Sequence, residues 1–250
     1  MSSVSLRKDG PTVTANEAGR EFWRAVLLAG GFTAIPRWTL DPVSGVGEHV
    51  VRINPESPTA LRRLANDLGV PLSSLLLAAH ARVLGALSRE REVCTGYAVE
   101  SGSPLPCRMT IGGRTWREVV LEAARSESDL LRHKDHPLDD LRRELGLTEP
   151  LFETVFELGA GGGGGLDDDT VLRVAFLEHD GLALRLRYRT DVLDAGCAAR
   201  IAGYHVSAVA LIAADPDAEH ARQTLVSDEE LRLQLDGLGG PRRPDRKSVV

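Results

Sequence analysis

The spacing of apolar positions divides the chain into segments of two periods. A spacing of three and four marks Phe22, Trp23, Val26 and Leu27 as one helix stripe, stopped by Gly30-Gly31. The same spacing marks Leu61, Leu64, Ala65 and Leu68, with Ser57 as the expected cap, Pro58 at the first helical position and Gly69 as the stop. Ser74 to Leu87 is apolar nearly all round, as in a helix at the middle of a domain. Thr115 and Glu118 have capping-box spacing ahead of Trp116, Val119, Val120, Ala123 and Ala124. Pro137 opens a short helix whose Leu138, Leu141 and Leu145 share a face, and Gly146 ends it. Asp194 caps a long helix carrying Ile201, Ala208, Val209 and Ile212, and Ser227 with Glu230 caps a last short one.

The period-two segments alternate with these. His49, Val51 and Ile53 share a face in a strand after a proline-containing linker, and residues 92–99 read as a buried strand. Glu149-Pro150 holds the chain extended into residues 151–158, where Phe152, Thr154, Phe156 and Leu158 are expected on one face. Two further strands meet at His179-Asp180-Gly181. In the second, Leu182, Leu184, Leu186 and Tyr188 alternate with Ala183, Arg185, Arg187 and Arg189, so one face is core and the other basic. The arginines could meet an acidic partner; the simpler reading is a solvated sheet face paired with carboxylates on neighbouring strands. Helices interleaved with such strands predict an α/β fold, a mixed-sheet α/β sandwich. Residues 1–16 read as a flexible leader, 17–236 as one domain and 237–250 as a flexible tail or linker.

Composition narrows the function. A net charge of −6 argues against general nucleic-acid binding, which needs a surplus of Lys and Arg on one face. No apolar signal core or membrane-length apolar run is evident, so no membrane partner is expected. Cys94, Cys107 and Cys197 are odd in number, far apart and without C-x-x-C spacing, which fits a reducing cytoplasm and neither a disulfide framework nor a zinc knuckle. The glycine-rich run from Gly159 to Asp169 reads as a mobile loop between strands, without the Gly-Lys-Ser/Thr ending of a phosphate cradle.

The central stretch carries a family resemblance. His133, Lys134, Asp135, Pro137 and Leu138, then Glu149, Pro150, Leu151 and Phe152, resemble the His-Gln-Asp-x-Pro-Phe run and Ser-Pro-Leu-Phe strand of nonribosomal peptide synthetase condensation domains. The residues differ at Lys134, Leu138 and Glu149. Upstream, Phe22 to Gly30 is similar to the Tyr-Trp-x-x-x-Leu-x-Gly segment that joins the two lobes of that family, and helix, Gly-Val turn, buried helix and strand follow in the family's order. Residues 100–114 depart from it, lacking the Gly-Phe-Phe-Val-Asn-Thr segment near the family's interlobe tunnel. The resemblance, from about Phe22 to about Leu235, implies one lobe of the two-lobed chloramphenicol-acetyltransferase-like fold: the second, C-terminal lobe, truncated of the first.

That first lobe holds the family's catalytic His-His-x-x-x-Asp-Gly motif, and this chain contains no His-His pair. The resemblance therefore implies a structural or recruiting platform in peptide-antibiotic assembly. It would contact adenylation, carrier or tailoring proteins, with no cofactor of its own and, at most, contact with phosphopantetheine on a carrier partner. An alternative is a condensation-type acyltransferase whose histidine lobe comes from another chain or whose site is rebuilt around His133, Asp135 and His136. A third is a homodimer, since a lone lobe leaves apolar surface to cover.

The residues themselves favour structural roles. His133 and His136 flank Lys134-Asp135 at i and i+3, but Pro137 disturbs the geometry a shared metal would need, and a His beside an Asp at a helix end is more often a local hydrogen-bonding pair. His80 lies within an apolar helix, as a packed and hydrogen-bonded core residue does. In His179-Asp180-Gly181 the Asp-Gly suits a tight hairpin. Neither a G-x-S-x-G elbow nor an activating motif around a cysteine is present. Because five consecutive glycines lose much backbone entropy when ordered, replacing Gly161–Gly165 with a Ser-Gly sequence of equal length should change stability by less than about 0.5 kcal/mol. Hydrogen exchange checks it: protected loop amides would mark instead a close approach of backbone to a ligand.

Overall fold

The computed structural model describes residues 15–99, 102–159, 166–179, 181–227 and 230–232. Six helices, α1 (Ala15–Leu28), α2 (Glu56–Leu68), α3 (Leu72–Ser88), α4 (Trp116–Arg132), α5 (Leu138–Glu144) and α6 (Ala195–Ala214), accompany six strands. These are β1 (Val46–Arg52), β2 (Glu92–Tyr97), β3 (Leu105–Thr110), β4 (Thr154–Leu158), β5 (Leu172–Glu178) and β6 (Leu182–Arg189). They form one mixed sheet in the order β1-β6-β5-β4-β2-β3, with β4 parallel to both β2 and β5 and the other pairs antiparallel. The fold class is the α/β one expected.

Helices α3, α4 and α6 pack together against the sheet, and α2 packs on α3 and α6. Periodicity explains the layer. On β6, Leu182, Leu184, Leu186 and Tyr188 are buried while the residues between them are half-buried, and the α6 stripe Ala198, Ile201, His205, Ala208, Val209 and Ile212 faces them. The capping box at α4 is complete: the Glu118 amide donates to Thr115, and the Glu118 carboxylate accepts from the Thr115 amide. Asp194 accepts from the Cys197 amide at 2.7 Å and starts α6.

On the other face of the sheet Arg187 reaches Glu48 of β1 at 3.8 Å and Arg173 reaches Glu157 of β4 at 3.4 Å, so the basic stripe meets carboxylates on neighbouring strands. Between α1 and β1 the linker crosses the gap where β2 and β4 pair only at their ends. Thr33 accepts the Cys94 amide at 2.9 Å, and Glu153, just before β4, accepts the Ile35 amide at 2.7 Å while binding Arg37 through both oxygens, at 2.7 and 2.6 Å. Glu153 is 4% exposed and Arg37 half-exposed, so the guanidinium closes over a carboxylate held in the protein.

Three expectations need correction. Helix α2 begins at Glu56 with Pro55 at its cap position, and Ser57 is buried in the first turn; the Glu56 and Ser57 amides are received by the Asn54 side chain and carbonyl instead. Strand β4 starts at Thr154, and Phe152 lies on the opposite face from Thr154 and Phe156, its ring filling the space that a Cβ at Gly96 would take. Both faces of β4 are therefore buried, including Glu157. Helix α6, at 20 residues, is long and apolar enough to cross a membrane, contrary to the expectation that no such run exists; here it lies along α2, α3, β1 and β6 as a core helix. The glycine run 160–165, Asp180, and the leader and tail beyond Ala15 and Arg232 lie outside the described residues.

Because Arg37→Met would leave the buried Glu153 carboxylate without its cation and Glu153→Gln would leave Arg37 without its anion, each should lower stability by about 2 kcal/mol, less than for a fully buried pair because Arg37 reaches solvent. Thr115→Ala should cost about 1 kcal/mol. Urea denaturation of the three variants checks the order.

Candidate functional site

The candidate residues at the end of α4 are drawn into packing around α1. His133 occupies the C-cap position of α4; its carbonyl accepts the Trp23 indole N–H at 2.8 Å, and its ring lies 4.8 Å from that of Phe22. His136 is brought to the same place. A Cβ placed on Gly19 would lie 3.4 and 3.6 Å from the Nδ1 atoms of His136 and His133, so both rings pack against α1 at this position. Asp135 points to solvent. Among the described residues no three His, Cys, Asp or Glu side chains gather as metal ligands would.

The most ordered polar chemistry lies in the core between α3, α6 and the sheet. His80 Nδ1 is 3.1 Å from His205 Nε2, His80 Nε2 is 3.1 Å from Thr95 Oγ1, and His205 Nδ1 is 2.8 Å from the Ile201 carbonyl. With both rings neutral, one assignment of ring protons satisfies the three ring contacts, the single Thr95 proton being shared between His80 Nε2 and the Thr154 carbonyl at 3.0 Å. A carbonyl can only accept, so His205 carries its proton on Nδ1 and accepts at Nε2 from His80 Nδ1. His80 Nε2 then accepts from the Thr95 hydroxyl, which in turn receives the Thr154 hydroxyl at 3.0 Å. Burial drives both imidazoles toward neutrality, His80 well below its ordinary value and His205 to about 4. The arrangement is a one-way chain of donors that ties two helices to two strands. It has no opening to solvent.

A second buried network joins α3, β2 and α4. Glu127 is buried and accepts from the Ser74 and Tyr97 hydroxyls, one on each oxygen. Burial, then the carboxylate beside it, pushes the Tyr97 phenol upward. Cys94 and Cys107 are free and buried nearby, the Cys94 thiol pushed up to about 11 chiefly by burial, so neither is an activated thiolate. Sequence reading missed Glu127 and His205, although both fall on the buried stripes of their helices, at the spacing of Val120, Ala123 and Leu130 and of Ile201, Ala208 and Ile212.

No family model matches the chain. It is 30% identical to the AMB antimetabolite synthetase AmbE of Pseudomonas aeruginosa over 88% of its own length, and spans 12% of that synthetase. Among solved structures it is similar to the X-domain in the complex of the X-domain and OxyB from teicoplanin biosynthesis, with a TM-score of 0.74, 18% identity, and coverage of 86% of this chain and 56% of that one. It is also similar to the condensation domain of the Monacolin K polyketide synthase MokA, with a TM-score of 0.69, 15% identity, and coverage of 82% and 59%. These structures establish the fold, a single lobe of the condensation type, and its relatives by sequence are nonribosomal peptide synthetases.

The histidine chain makes stability depend on pH in a defined direction. Folded, both rings are neutral; unfolded, they titrate near about 6.5. Below that value the unfolded chain binds more protons, so this contribution is complete at neutral pH and is lost as pH falls toward about 4, His205's folded value. Urea melts at stepped pH should show up to about 1.4 kcal/mol lost per pH unit per histidine, a slope the double variant His80→Leu/His205→Leu should largely abolish.

Proposed function

We propose that this condensation-like domain is a non-catalytic platform that recruits partner proteins to a peptide-synthetase assembly. The carrying observation is the fate of its histidines. The family's chemistry needs a histidine free to assist an amine, while here His80 and His205 are consumed by the buried chain and His220 is buried against Trp116. His133 and His136 are packed on α1, His49 sits on edge strand β1 opposite Leu186, and His179 is exposed in the turn just after β5. Without a general base beside an accessible nucleophile site, the lobe has shape to offer in place of proton transfer.

Surface features support recruitment. β1 is an edge strand with Val46 and Val50 exposed, and Val43 is exposed just before it. Such an edge has unpaired backbone groups and apolar side chains for a partner to cover. The X-domain, a structural neighbour, is itself found in complex with OxyB. Partners of this chain would be adenylation, carrier or tailoring proteins of a cytoplasmic synthetase, with carrier-borne phosphopantetheine the only cofactor contact; self-association through the same edge is the competing use of that surface.

Two measurements test this reading. In a condensation assay with loaded donor and acceptor carriers, the protein should give no more peptide bond than uncatalysed aminolysis; turnover that falls in His133→Ala or His136→Ala would establish the rebuilt-site acyltransferase instead. Titration with adenylation and carrier proteins from the same gene cluster should show saturable binding weakened by Val50→Glu. Light scattering separates this from a homodimer, for which a doubled mass would appear without any partner.

A further inference from the structure

At the end of α3 opposite the β2–β3 turn, a groove of about 550 Å³ opens between the linker, α3, α6 and the segment after residue 222. Its walls are Pro36 and Trp38 on one side, Ala86 and Leu87 below, Tyr204 from α6, and Leu225 closing the far end. The volume, and a lining that sets apolar Trp38, Leu87 and Leu225 beside polar Arg82, Tyr204 and Gln223, fit a small-molecule site. The linker wall is fixed: the Trp38 carbonyl accepts the Asp194 amide at 3.1 Å, Trp38 bridges to Leu193, and Arg200 lies over the Trp38 ring at 5.5 Å.

One charge inside this groove is unanswered. Arg82, half-buried on α3, makes no hydrogen bond or ion pair among the described residues, and its Nε is buried without a partner. Arg142 and Arg173 also have a buried Nε without a partner, but the guanidinium of Arg173 reaches a carboxylate, as do those of Arg37, Arg117 and Arg189, and Arg108 and Arg142 reach backbone carbonyls; Arg82 reaches neither. A half-buried guanidinium with no anion loses part of its hydration without compensation, and burial already lowers its affinity for the proton. Behind it lies His220, 4% exposed, beside the Gly112 and Gly113 backbone, and burial followed by the charge of Arg82 lowers its affinity for the proton. At the mouth stands Arg89, exposed and held in the left-handed region at φ 63°.

We propose that this groove binds a small organic carboxylate with an aromatic or aliphatic body, the carboxylate received by the fork of Arg82 and the body lying between Trp38, Tyr204 and Leu87. A planar carboxylate matches the guanidinium bidentately, and its charge answers that of Arg82. The apolar walls supply the remaining affinity by burying the body. Recruitment of protein partners through β1 does not enter this inference, so each can fail without the other.

Calorimetric titration with phenylacetate, phenyl phosphate and the neutral phenylacetamide tests it. Phenylacetate should bind saturably below about 10 mM and phenylacetamide at least about 10-fold more weakly, the scale of a hydrogen bond to a charged group. Arg82→Met should weaken phenylacetate binding about 10-fold while leaving the melting temperature unchanged or raised, because an unanswered buried charge has been removed. Arg82→Lys, which keeps the charge but not the fork, should fold and bind several-fold more weakly. Equal binding of the amide, preference for phenyl phosphate, no binding of phenylacetate, or affinity unaffected by Arg82→Lys would overturn the proposal. So would a lower melting temperature with unchanged binding in Arg82→Met, which would mark Arg82 as a structural residue.

Discussion

A carboxylate buried at the entrance to β4 constrains much of this lobe. Glu153 cannot be left unanswered in a position only 4% exposed, and the linker answers it twice, with the Ile35 amide and the Arg37 guanidinium. Its backbone is engaged as well, since the Glu153 carbonyl receives the Val171 and Leu172 amides at the start of β5. One residue thus joins a segment without regular structure to the centre of the sheet. The consequence reaches further: with Ile35 and Arg37 pinned on one side and Trp38 bonded to the start of α6 on the other, Pro36 and Trp38 become a fixed wall. A groove built on such a wall is preorganised, so a ligand need not bear the cost of ordering it.

Polar groups also decide how the helices sit on the sheet. Apolar packing holds α3 and α6 against the strands but tolerates small shifts, whereas the chain from Thr154 through Thr95, His80 and His205 to Ile201 needs its two rings at set distances. Glu127 does the same between α3, β2 and α4 with two hydroxyls and no cation. Each network raises the penalty for a misplaced helix, because a slip would strand polar atoms away from water. Specific placement and sensitivity to acid come from the same histidines.

The sequence made the elements legible where local chemistry sufficed. The Thr115–Glu118 box, the Asp194 cap, the Gly69 stop and the alternation along β6 depend on neighbours within a few residues, and all stand as the pattern implies. What failed was set from a distance. Ser57-Pro58 looks like a cap and first turn, yet Asn54 takes the amides and the helix starts earlier. Phe152 belongs by alternation with Thr154, but the vacancy beside Gly96 draws it to the other face. The central proline motif was readable as an order of elements, while its histidines end up packed on α1, against Gly19, Phe22 and Trp23, more than a hundred residues upstream.

The same distinction separates the two kinds of arginine in this lobe. Arg173 and Arg187 belong to the alternating face of the sheet, where the neighbouring strand supplies Glu157 or Glu48, so their pairing follows from register. Arg82 sits on the helix layer, where every adjacent turn of α3 is apolar and no strand can bring a carboxylate to it. Among the described residues the half-buried Arg108 and Arg142 at least reach backbone carbonyls, whereas Arg82 faces an open groove with neither a carbonyl nor a carboxylate. Such an unanswered charge is tolerated where it serves binding, since the interaction that an internal partner would have saturated remains available to a ligand.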